Sequence, residues 1–111
     1  MIDKDSFLQL QHDVGEQLAT QLLEVYLTES LELIEKLSPD SSQELLEITA
    51  HSLKSSSRSY GAFELALLCE KIEHQVKTDG INAEVIILIT EVHAQSLVTF
   101  SHARELINSQ C

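Results

Sequence analysis

Three glycines and one proline in 111 residues leave this chain few places to turn. Gly15, Pro39, Gly61 and Gly80 divide it into long uninterrupted stretches. An all-β chain needs turn residues at short intervals and many aromatic or β-branched cross-strand pairs. Aromatic residues make up only 5% of this one. The stretches must therefore be helices, and their apolar spacing agrees.

Asp3 can cap a short first helix that contributes Phe7, Leu8 and Leu10, and Gly15 breaks it. From Glu16 to Leu37 the set Leu18, Leu22, Val25, Tyr26, Leu27, Leu31, Ile34 and Leu37 recurs at threes and fours, which predicts a long amphipathic helix. Ser38-Pro39-Asp40 ends it, because a residue before proline resists the helical well. Ser41 and Glu44 read as a capping box for a third helix that runs toward Ser59. Ala62 to Lys77 is a fourth helix, with Leu65, Leu68, Cys69, Ile72 and Val76 on one side. After the turn Thr78-Asp79-Gly80, a fifth runs from Ala83 to about Ile107 on Val85, Leu88, Ile89, Val92, Leu97, Phe100 and Ile107. Four long helices with short connections predict an all-α, up-down-up-down four-helix bundle with a short extra N-terminal helix.

Charge narrows the functions. Seven Lys and Arg against 18 Asp and Glu give a net charge of −11. Such a surface repels phosphate backbones and anionic lipid, so nucleic acid and membrane surfaces are poor partners. The longest unbroken apolar run, Val85 to Ile89, is far short of the roughly 20 residues that span a bilayer. Met1 is followed by Asp3, Lys4 and Asp5 rather than by a signal stretch, so the chain reads as cytoplasmic. Cys69 and Cys111 are expected to be free thiols, and without CxxC or HExxH spacing no metal site is expected. With no apolar stripe left over, the bundle is expected to be a monomer.

One stretch carries chemistry: His51-Ser52-Leu53-Lys54-Ser55-Ser56-Ser57, followed by Gly61-Ala62. At about 100° per residue, Leu46 and Leu53 lie roughly 140° and 160° from His51, so core-facing leucines put the imidazole in water. Glu44, Glu47, Lys54, Ser55 and Arg58 fall within roughly 60° of it, and Ile48 is an apolar residue on the same shoulder. Neutral imidazole is well populated near pH 7 and can attack phosphorus through one nitrogen while the other is held as N–H. Lys54, with Arg58 as a second cation, can offset the charge of an incoming phosphoryl group. Ser55 is small enough to let a partner approach the ring. Ser56 and Ser57 turn toward the bundle. The other histidines, His12, His74, His93 and His102, read as solvated residues, with His93 and His102 also placed to pack partly buried.

The order His51, Leu53, Lys54, Ser56, Ser57, Gly61, Ala62, Leu65, Leu68 and Glu73 resembles the signature of histidine-containing phosphotransfer (HPt) domains. That pattern is close to H-x-L-K-G-S-S, then G-A, with leucines and a Glu following. The family most often has Gly where this chain has Ser55. Ser at that position with Leu68-Cys69-Glu70 downstream is similar to the stand-alone members of bacterial quorum-sensing relays. Length and helix organisation fit as well, so the resemblance covers residues 1–111 as a single domain.

The resemblance implies that His51 is the phosphoacceptor, taking a phosphoryl group from a receiver-domain aspartate of a hybrid sensor kinase. A response-regulator receiver would take it next. It implies that Lys54 neutralises phosphoryl charge, that Ser55 gives the receiver access, and that Glu73 orients the imidazole. Docking would use Ile48 and its apolar surroundings. No cofactor is expected on this chain, whose isolated glycines form no phosphate loop; Mg²⁺ is expected on the receiver. The chain is then an intermediate and not an enzyme. The alternative is an acidic helical adaptor that binds signalling proteins without being phosphorylated, a role in which the histidine is typically lost.

Overall fold

The computed structural model describes residues 1–109. Five helices follow in order: α1 (Lys4–Val14), α2 (Glu16–Lys36), α3 (Gln43–Ser59), α4 (Phe63–Asp79) and α5 (Ala83–Ser109). At 1.5 Å per residue α5 is about 40 Å long and sets the 43 Å long axis. α3 packs on α4, α4 on α5, α5 on α2 and α2 on α3, which closes an up-down-up-down ring, while α1 lies against α2.

Each boundary has a local cause. The Asp3 carboxylate accepts from the Ser6 N–H and caps α1. Gly15, at φ 90°, donates its N–H to the Gln11 carbonyl and accepts from the Ala19 N–H, so it ends one helix and opens the next. The cap of α3 is Ser42, which accepts from the Leu45 N–H, rather than Ser41. Ser41 instead donates to the Lys36 carbonyl at 2.7 Å and closes the end of α2. α4 begins at Phe63, with Ala62 as its N-cap residue and Asp79 as its last.

The core is formed by Leu23, Tyr26, Leu37, Leu46, Leu53, Leu65, Ile72, Val76, Val85 and Val92, all essentially inaccessible. Two helix faces differ from the sequence reading. On α2 the buried line is Ala19, Leu23, Tyr26 and Ser30, whereas Leu18, Val25 and Leu31 are exposed. On α5, Ser96, Thr99 and Ala103 are buried and Leu97 is 73% exposed. Small residues are buried at these positions and the bulkier ones face out.

As a result α5 shows Ile86, Ile87, Leu97 and Val98 to solvent, so the premise of the monomer expectation, that no apolar stripe is left over, does not hold. An 18-residue window of this helix, with mean hydropathy 1.3, is long and apolar enough to cross a membrane by length and composition, a property that counting unbroken apolar runs overlooks. In this fold its Val85, Ile89 and Val92 side chains pack into the core.

Two histidines of α5 hold the bundle together. The His93 Nε2–H donates to the Leu37 carbonyl at the end of α2, 2.7 Å away. The His102 Nδ1 accepts from the Ile2 N–H at 2.9 Å and seats Ile2 in the core. Beside it, Gly61 turns the chain between α3 and α4 at φ 78°, and its carbonyl accepts from the Asp3 N–H at 2.8 Å. A Cβ on Gly61 would lie 2.7 Å from Ser6 Cβ, so α1 approaches too closely for any side chain there. Cys69 is buried, and burial pushes its thiol up to about 12. Cys111 lies outside the described residues.

Candidate functional site

His51 lies in the middle of α3 with its side chain 59% exposed. The reason is periodicity: Leu46, Ala50, Leu53 and Ser57 on the same helix are fully buried, which turns position 51 outward. Its Nδ1 is 2.9 Å from Oε2 of Glu73, which projects from the adjacent α4 and is nearly buried. Lys54, one turn along α3, donates to the other carboxylate oxygen at 2.7 Å. Lys77, one turn along α4, donates to Oε2 at 3.3 Å.

The ionisation of Glu73 follows from these partners. Burial alone would raise its carboxyl above the ordinary value. Hydrogen bonds from Lys54, Lys77 and His51, together with the charge of Lys54, more than offset that and bring it to about 2. At neutral pH Glu73 is therefore a carboxylate, which only accepts. The proton of the bonded imidazole must sit on Nδ1, and in the neutral ring Nε2 is then the free lone pair. That is the arrangement of a held nucleophile, with its basic nitrogen open and its orientation set from behind.

Around the ring the surface is permissive. Ser55 is exposed and small, and Ile48 is 57% exposed with Leu45 also showing on the same helix. Arg58 is placed differently from the expectation. Its guanidinium donates to Glu70 at 2.7 Å, both side chains half in solvent, so its charge is already paired away from the imidazole. Glu70 is thereby committed to Arg58. Among the described residues no three His, Cys, Asp or Glu side chains gather to hold a metal ion.

The family of Hpt domains matches residues 21–96 of this chain, a span that contains His51, Lys54 and Glu73. The chain belongs to the Hpt domain family. A solved Hpt structure, histidine-containing phosphotransfer protein B (HptB) from Pseudomonas aeruginosa PAO1, superposes with a TM-score of 0.85. The two are 22% identical, and the match covers 97% of this chain and 95% of that one. No curated protein sequence matches closely enough to count as a relative. As an Hpt domain the chain has a histidine phosphotransfer role in phosphorelay, and Hpt domains are phosphotransfer intermediates rather than catalytic enzymes.

Of the residues singled out from the sequence, this Hpt domain brings His51, Lys54 and Glu73 into one hydrogen-bonded group, leaves Ser55 and Ile48 beside it, and sets Arg58 apart. Sequence reasoning missed Lys77. The signal was available: Glu73 and Lys77 are an i,i+4 acid–base pair on one helix. Four of the seven basic residues, Lys54, Arg58, Lys71 and Lys77, lie on α3 and α4.

Proposed function

We propose that this protein is a phosphorelay intermediate whose His51 Nε2 accepts a phosphoryl group from a receiver-domain aspartate of a hybrid sensor kinase and passes it to a response-regulator receiver in the cytoplasm. The observation that carries this reading is the exposed imidazole whose Nδ1 is committed to an ionised, nearly buried Glu73. In the transfer the P–O bond to the donor aspartate breaks as the Nε2–P bond forms. The aspartate leaves as a carboxylate, and the Nδ1 proton stays on the ring against Glu73. The charge that develops on the imidazole is thus met by a carboxylate already in place.

Lys54, one turn from His51, is the cation placed to turn from Glu73 toward the phosphoryl oxygens, which bring a charge of about −1.5 to −2. Ile48 and the small Ser55 provide the surface against which a receiver docks. No cofactor of its own is needed; Mg²⁺ and the acidic pocket belong to the receiver.

The test is to incubate the protein with a phosphorylated receiver domain and measure acid-labile, base-stable phosphate on it. Wild type is expected to take label and His51→Gln to take none. Equal labelling of the two, or no labelling of wild type by any receiver, overturns the proposal.

A further inference from the structure

Two lysines share the Glu73 carboxylate, and they hold it in different ways. Lys54 comes from α3 and donates to Oε1 at 2.7 Å. Lys77 comes from α4 itself, one turn beyond Glu73. It donates at 3.3 Å to Oε2, the oxygen that also accepts the His51 Nδ1–H. An acid followed four residues later by a base is the order that a helix favours. The Lys54 side chain is mostly covered, at 17% exposed, whereas that of Lys77 is 59% exposed. Among the described residues neither lysine makes a second ion pair.

The arrival of a phosphoryl group separates their tasks. Lys54, one turn from His51 on the same helix, is the cation that turns toward the phosphoryl oxygens. Turning takes from Glu73 its shortest hydrogen bond. The Glu73 side chain is only 8% exposed, so water replaces little of what is lost. A carboxylate covered to that extent is costly to leave without a cation, and a lone Lys54 would stay where it is. Lys77 removes that constraint. It is carried by the same helix as Glu73, so its contact does not depend on where Lys54 points. It also sits on the oxygen that holds Nδ1, so the imidazole keeps its orientation while Oε1 is given up.

We propose that Lys77 is a positioning residue for phosphoryl transfer: it holds Glu73 against the His51 Nδ1–H and so releases Lys54 from the carboxylate to the phosphoryl group. This deepens the phosphorelay reading of the site and rests on it. Lys77 acts through Glu73 and not on the reacting atoms.

The test is the rate at which a phosphorylated receiver labels the protein, followed at increasing receiver concentration. Wild type is compared with Lys77→Met, Lys77→Arg, Glu73→Gln and Glu73→Gln/Lys77→Met. Lys77→Met is expected to lower the saturating rate about two- to fivefold, the size of a part-exposed ion pair. Helicity and the half-saturating receiver concentration should not change, and Lys77→Arg should restore the rate. In Glu73→Gln the neutral amide needs no cation, so adding Lys77→Met should have no further effect. A Lys77→Met rate equal to that of wild type overturns the proposal. So does a loss confined to the half-saturating concentration, which makes Lys77 a docking charge. A loss of the same size in the Glu73→Gln background overturns it too, because Lys77 then acts without Glu73. Where Glu73→Gln is too slow to follow, the saturating rate of Lys77→Met and its rescue by arginine decide. A wild type that takes no label from any receiver overturns the phosphorelay reading and this proposal with it, an outcome distinct from all the others.

Discussion

His51 and His102 show two uses of one side chain. His102 is half-buried at the end of the bundle and spends Nδ1 on a backbone N–H. His51 is exposed in the middle of a helix and spends Nδ1 on a carboxylate. The first contact satisfies a main-chain donor and fastens the N-terminal segment. The second fixes the tautomer and leaves Nε2 open. Whether a histidine serves structure or chemistry is decided here by what its held nitrogen touches, a main-chain N–H for His102 and an ionised carboxylate for His51.

The strongest way to break this contrast is to compare substitutions at the two places. His51→Gln is expected to abolish phosphoryl uptake while leaving the urea midpoint nearly unchanged; a clear loss of stability would make His51 structural as well. At the bundle end, Gly61→Ala combines a left-handed backbone with a contact against Ser6, and about 2–4 kcal/mol of stability should be lost. Uptake by the folded fraction should persist. His102→Leu leaves the Ile2 N–H without its acceptor and should cost about 1–2 kcal/mol, again with labelling intact. If labelling falls in proportion for either variant, the two regions are coupled and the contrast fails.

The smallest effect is a pH dependence confined to the site. The Glu73 carboxyl is held at about 2 in the folded chain against 4.5 ordinarily. Its contribution is fully present above about pH 4.5 and is lost as the pH falls toward 2. Because Lys77 and His51 are largely solvated, the amount is about 1 kcal/mol. Urea unfolding of wild type and Glu73→Gln at pH 5.5 and pH 2.5 measures it as a gap that narrows in acid. A gap that stays constant would mean that Glu73 is not held ionised by its neighbours.

The order and type of helices were legible because so few residues interrupt them, and Gly15, Gly61 and Gly80 lie at junctions where φ is positive. What the pattern misassigned was rotation. Weighting large apolar residues put Leu18, Val25 and Leu97 inside, whereas Ala19, Ser30, Ser96 and Thr99 are the buried ones. Close approach between helices selects small side chains, and hydrophobicity does not register that. The orientation of His51 was readable because Leu46 and Leu53 lie on one short helix. Glu73 was reached through family resemblance, since nothing local to α3 indicates which residue of α4 faces it. The Arg58–Glu70 pair depends on that same crossing of two helices and emerged only with the fold, whereas Lys77 was readable as the i,i+4 partner of Glu73 on α4.

The chain has no tryptophan and two tyrosines, and both tyrosines occupy one place. Tyr26 of α2 stacks on Tyr60 at the end of α3 with ring centroids 5.0 Å apart, and its hydroxyl pairs with buried Ser57 at 2.8 Å. Tyrosine absorption, dichroism and emission therefore all originate at the α2–α3 contact, on the helix that presents the imidazole. An unlabelled sample carries its own optical reporter of how that helix is seated.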